Sequence, residues 1–207
     1  EWTDTPEYAQ LLKIVEPFSY RVRYTMPKLI LNGTGDQFFL PDSSQFYYDQ
    51  LPNPKRLRYF PNAAHGLDAS AFESIASFFQ AVTRDIEMPQ YSWTFPDEST
   101  IRVMTTDQPS EVKLWQAVNP NARDFRVDTI GETWEAATLT DLGGGVYEGK
   151  VEAPSTGYRA WLVELTFPGP GNVPFRFTSP VRVIPDTYPH EFPVVENVPA
   201  IHGPDVR

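Results

Sequence analysis

The spacing of apolar positions changes character near residue 88. Upstream of it the rhythm is helical or solid. In 6–15 (PEYAQLLKIV), Tyr8, Leu11, Leu12 and Val15 recur at helical spacing, and Pro6 falls in the first turn, where a missing N–H leaves no bond unmade. The run 28–33 (KLILNG) is short and solidly apolar, as in a parallel strand covered on both faces. Next, 41–51 predicts a helix with Asp42 or Ser43 near its N-cap, and 55–60 predicts a second strand. The clearest helix is 67–85, with Phe72, Ile75, Phe79 and Val82 as one apolar stripe and Asp68 at its start. Strand, helix, strand, helix over 27–85 implies an α/β unit with a parallel sheet.

Downstream the runs are short and alternate between apolar and polar. Strands are predicted at 91–95, 99–106, 111–118, 135–141, 146–152, 158–167 and 175–184, with a glycine hairpin turn at 143–145. That succession is the pattern of a β-sandwich. The expected fold class is therefore α/β plus all-β. The expected divisions are 1–87, 88–185 and a Pro-rich irregular tail at 186–207.

Composition narrows the function classes. The chain has 207 residues and a net charge of −10, which argues against nucleic acid as a partner, because phosphate binding needs clustered Lys and Arg. It has no cysteine, so disulfides, Cys nucleophiles and thiolate metal sites are excluded. No run approaches the length of a membrane span, and no signal peptide is visible. The histidines, His65, His190 and His202, are too isolated for ordinary metal-ligand spacing, and no phosphate-cradling loop occurs, so no metal or cofactor is expected. Glu1 stands where an initiator Met would be expected, so the chain reads as a processed, truncated or cleaved piece of something longer.

The candidate chemistry lies in two loops. Functional groups of open parallel sheets gather beyond the carboxyl ends of strands. Asp36, in GTGDQFF, follows the 28–33 strand, and His65, in PNAAHG, follows the 55–60 strand. An Asp and then a His on successive strand-end loops is the order of the last two members of a Ser, Asp, His triad. His65 would shuttle the serine proton, and Asp36 would orient the imidazole. Gly33 and Gly35 would allow the sharp turn, and Gly66 would relieve crowding. Phe38 and Phe39 are near enough to line a substrate pocket. The plainer alternatives are a turn-forming Asp, a surface His and aromatic packing. His190 and His202 read as solvated surface.

The stretch PKLILNGTGDQFFLPDSSQFYYDQLPNPKRLRYFPNAAHGL closely resembles the PhoPQ-activated pathogenicity-related protein family, an α/β-hydrolase group of bacteria and some amoebae. The resemblance covers about 7–85 well and the β-rich remainder loosely. It implies the C-terminal part of an α/β-hydrolase parallel sheet followed by an immunoglobulin-like β-sandwich. It also implies a secreted or periplasmic serine hydrolase acting on an ester or peptide bond, with Asp36 and His65 at the acid and base positions.

The chain departs from that pattern in one respect. No G-x-S-x-G elbow occurs, and Ser19 is the one serine that precedes Asp36 in these 207 residues. The expectation is that an N-terminal segment or separate partner chain supplies the serine and covers the apolar half sheet. The alternative expectation is a non-catalytic secreted recognition protein that uses a hydrolase-like scaffold and a Trp-rich sandwich. For those Trp residues core packing is the competing explanation.

Overall fold

A computed structural model describes residues 5–190. It is a mixed helix and sheet structure. The first helix, α1 (Pro6–Val15), starts at Thr5, whose hydroxyl oxygen accepts from the Tyr8 N–H. A 3-10 turn, Pro17–Arg23, follows α1. Strands β1 (Lys28–Gly33) and β2 (Lys55–Phe60) pair in parallel from Lys28 opposite Lys55 to Gly33 opposite Phe60. Because the two strands end together, their following loops emerge side by side.

The connection between them differs from the expected 41–51 helix. It forms two short 3-10 turns, Ser43–Phe46 and Tyr48–Gln50. Lys55 Nζ donates to the carbonyls of Tyr48, Asp49 and Leu51, which draws them toward the start of β2 and away from a helical ladder.

Helix α2 (Ser70–Thr83) follows β2. Asp68, just ahead of the helix, accepts from the Ser70 N–H, while the N-cap residue Ala69 makes no side-chain bond. The expected apolar stripe is present on this helix, and it faces outward. Phe72, Ile75, Phe79 and Val82 are exposed, while Ala71, Ser74, Ser77 and Ala81 are buried. The small face wins because buried Arg58 reaches the helix through the Ser70 carbonyl and the Ser70 and Ser74 hydroxyls, holding it close to β2.

Residues 91–184 form two antiparallel sheets. One holds β3 (Tyr91–Asp97), β4 (Thr100–Thr105) and β7 (Val146–Lys150). The other has the order β10, β8, β5, β6, with β9 also on β8; these are β5 (Glu111–Asn119), β6 (Glu135–Thr138), β8 (Tyr158–Phe167), β9 (Phe175–Thr178) and β10 (Arg182–Ile184). The expected single strand at 175–184 is two strands, interrupted at Ser179–Pro180, where the Ser179 N–H bonds the Val163 carbonyl and Pro180 has no N–H to give.

Strand β8 is apolar on both sides, and each side has its own core. Trp161, Val163 and Leu165 pack with Ile101, Val103 and Tyr147 across to the three-stranded sheet. Ala160 and Leu162 pack with Leu57 and Tyr59 of β2. The α/β part and the β region therefore share a core. Of the Trp residues, Trp134 and Trp161 are buried within these cores, whereas Trp93 and Trp115 are half-buried. His190 is exposed, as expected; the rest of the Pro-rich tail from 191, with His202, lies outside the described residues.

Candidate active site

Two backbone hydrogen bonds and one to a side-chain hydroxyl fix the loops beyond β1 and β2 against each other. The Thr34 N–H donates to the Phe60 carbonyl at 3.0 Å, and the Gly35 N–H to the Ala63 carbonyl at 2.9 Å. The Asn62 N–H donates to the Thr34 hydroxyl oxygen at 3.0 Å. At Gly33 the two loops touch: a Cβ there would lie 2.5 Å from the Ala63 oxygen and 2.6 Å from the Ala64 oxygen. Glycine is thus required by close approach, and neither Gly33 nor Gly35 takes the left-handed conformation that a sharp glycine turn would use. Gly66 has open space around it and relieves no crowding.

This frame brings Asp36 and His65 together. The Asp36 side chain is buried, and its Oδ2 lies 2.9 Å from His65 Nδ1. Oδ1 accepts from the N–H groups of Phe38 at 2.7 Å and Phe39 at 3.2 Å. One carboxylate oxygen is therefore pinned by backbone, and the other is aimed at the imidazole. Burial alone would push the Asp36 carboxyl up. The Phe38 N–H, His65 and the Phe39 N–H together outweigh burial and hold it below the usual carboxylate range.

An ionised Asp36 accepts the proton of Nδ1, which leaves Nε2 with its lone pair for a second proton transfer. The His65 side chain is 53% exposed, so that nitrogen is accessible. The rings of Phe38 and Phe39 flank the imidazole, with centroids 4.8 and 5.8 Å away, and both are exposed. They form an apolar wall at the mouth of the site.

Ser19 is not part of this constellation. Its hydroxyl donates to the Leu12 carbonyl in the turn after α1. Asp42 stands at the N-cap of a 3-10 turn without making a side-chain cap bond. Instead it forms a buried ion pair with Arg123 at 2.6 Å and accepts from Gln45. Sequence reasoning missed Gln37, Asn62 and Arg123. Gln37 accepts from the His65 N–H at 3.2 Å and donates to Asp128 at 2.9 Å. Asn62 exchanges two hydrogen bonds with the Trp134 backbone. No local signal could reveal these, since their partners lie 72 to 91 residues away apart from the His65 contact. Among the described residues no group of three or more His, Asp or Glu is placed to hold a metal ion, and no helix is long and apolar enough to cross a membrane.

The chain is 32% identical over 217 aligned positions to the autocrine proliferation repressor protein A of Dictyostelium discoideum, covering 91% of this chain and 44% of that protein. It thus spans less than half the length of that relative. Among solved structures an engineered protein aligns with 62% of this chain and 32% of its own, at 16% identity and a TM-score of 0.28. The sequence profile of one family matches residues 1–126, the part that contains both loops, α2 and the start of the β region. The chain belongs to the PhoPQ-activated pathogenicity-related protein family.

Proposed function

We propose that this chain is the C-terminal portion of a serine hydrolase of the α/β-hydrolase type, in which Asp36 and His65 serve a serine carried by an upstream segment or partner chain. The observation that carries this reading is the Asp36–His65 hydrogen bond at the ends of adjacent parallel strands. In the proposed reaction His65 Nε2 takes the serine proton as the hydroxyl oxygen attacks an ester or peptide carbonyl. The proton then passes to the leaving group, and water repeats the cycle to release the acyl group. Asp36 keeps Nδ1 protonated and stabilises the imidazolium. Phe38 and Phe39 would contact the substrate. The two antiparallel sheets would be an immunoglobulin-like sandwich appended to the hydrolase sheet.

Two further features support an upstream partner: β1 is paired on one edge only among the described residues, and the stripe of α2 is exposed. A secreted or periplasmic location is part of the proposal; the word autocrine in the relative's name is consistent with it.

The test is fluorophosphonate labelling of the native protein, read by denaturing intact mass. The expected result is a probe adduct on a serine outside these 207 residues, lost when His65 is replaced by Ala. Absence of any adduct in folded protein would overturn the reading.

That outcome would favour a non-catalytic recognition protein, for which one observation speaks. A cleft of about 690 Å³ lies at the opposite end of the parallel strands, between the α/β part and the β region. Its lining includes Tyr91, Trp93 and Phe95 together with Lys55, Arg56 and Arg182. Such a mixture of rings and cations suits a polar or anionic ligand.

A further inference from the structure

Residues 123–134, which connect β5 to β6, cross from the β region to the two loops that carry Asp36 and His65. Both ends of this segment are anchored in the core: Phe125 and Trp134 are buried in the cluster that contains Leu57 and Tyr59. Its interior is braced by Asp124, which accepts from Arg126 and from the Thr129 hydroxyl. Those bonds hold the Asp124 carboxyl down, to about 2. A single helical turn, α3 (Val127–Ile130), results.

Among the described residues, the polar contacts from this braced segment to the α/β part fall on the two loops of the site and on Asp42 beyond the first of them. The Val127 N–H donates to the Gly35 carbonyl at 3.0 Å, and a Cβ on Gly35 would meet Val127 at 3.0 Å. Gly35 directly precedes Asp36. Asp128 accepts from Gln37, which directly follows Asp36 and whose other end accepts from the His65 N–H. Arg123 pairs with Asp42, and Trp134 is held by Asn62, three residues before His65. The segment thus grips Asp36 from both flanking residues and joins both loops through Gln37.

We propose that this connector is the positioning element for the Asp36–His65 pair, with Val127 and Asp128 as its positioning residues, acting through Gly35 and Gln37. The inference rests on the proposed role of that pair. It gives the β region a part in the chemistry: the carboxylate is aimed by a segment of another sheet. Neither Val127 nor Asp128 touches the reacting atoms. Their effect is on the direction of the Asp36 carboxylate, and hence on which imidazole nitrogen carries the proton in neutral His65.

The experiment reads that proton directly and needs no serine. The folded chain is labelled with ¹⁵N-histidine, and His65 is assigned by its loss in a His65→Gln variant. Long-range ¹H–¹⁵N correlation at a pH where the ring is neutral then distinguishes the tautomers. The Nδ1–H form is expected as the majority species in the unaltered protein. Asp128→Ala removes an exposed acceptor, and Val127→Pro removes the N–H that donates to the Gly35 carbonyl and sets a ring carbon against that oxygen. Each is expected to lose the Nδ1–H majority, with a thermal midpoint close to that of the unaltered protein for Asp128→Ala and a lowered one for Val127→Pro. Asp128→Asn, which keeps an acceptor oxygen, is expected to retain it. If both disruptive variants remain folded and keep the Nδ1–H form, the positioning role is overturned while the pair itself stands. If the unaltered protein already favours Nε2–H, both the pair and its positioning element are overturned.

Discussion

Asp36 and Glu164 are buried carboxylates whose surroundings move them in opposite directions. The Asp36 carboxyl is held low, as described above. Glu164, facing Arg58 across the shared core, is pushed up by burial, and the attraction of Arg58 offsets only part of that cost. The signs for stability follow. A carboxyl lowered on folding contributes stability that is complete above its unfolded pKa and is lost as pH falls through the folded one. A raised carboxyl contributes stability below its unfolded pKa and loses it as pH rises through the folded one. Urea unfolding across the acid range should therefore separate two variants. Asp36→Asn exchanges charge-assisted hydrogen bonds for neutral ones and is expected to cost about 1–2 kcal/mol at neutral pH, with the deficit vanishing toward strong acid. Glu164→Gln is expected to gain on the unaltered protein as pH rises through the carboxylate range. A deficit for Asp36→Asn that persisted unchanged in strong acid would show that shape, not charge, holds the loop.

At the scale of elements, the paired ends of β1 and β2 are the feature that makes the site. Gly33→Ala drives a methyl against two carbonyl oxygens of the neighbouring loop, where backbone rather than a flexible side chain must yield. It is expected to cost about 1–3 kcal/mol in chemical denaturation and to lengthen the Asp36–His65 contact, seen as loss of the Nδ1–H tautomer. Normal stability with an unchanged tautomer would mean that the loops have room to part. This level of structure was largely legible in the sequence. A solid apolar run located β1, a turn followed by a short strand located β2, and the strand-end rule brought Asp36 and His65 together. The helix expected at 41–51 was not legible as turns, because the Lys55 ammonium competes for its carbonyls from beyond the segment. The break at 179–180 depends on which strand β8 accepts as a neighbour at each position. The Arg123–Asp42 pair spans 81 residues, so no periodicity or motif could carry it.

For the whole molecule, α2 poses the remaining question. Its period is legible in the sequence; the direction its stripe faces is not. The residues that define the apolar stripe, Phe72 at 77% exposure and Phe79 at 64%, face away from the β region, and the small residues face inward. A helix that buries its small face against one layer and presents large apolar side chains on the other is built to lie between two layers. Only one of those layers is found among residues 5–190. Among the described residues β1 also has one open edge, and such an edge offers a row of backbone donors and acceptors. If the second layer belongs to an upstream segment, the two faces of α2 should respond oppositely to substitution in this chain alone. Phe72→Ser with Phe79→Ser should leave its unfolding free energy within about 0.5 kcal/mol per site, because nothing buried is lost, and should reduce self-association on gel filtration. Ala81→Leu, on the inward face at 1% exposure, should destabilise it by about 1–3 kcal/mol through overpacking. Added upstream polypeptide should raise the melting temperature of the unaltered chain by mass action and fail to do so for the double Ser variant. A loss of more than about 2 kcal/mol on replacing the two Phe residues in the isolated chain would place the stripe in a core that the chain builds by itself or with a second copy, and the upstream layer would have no role in covering it.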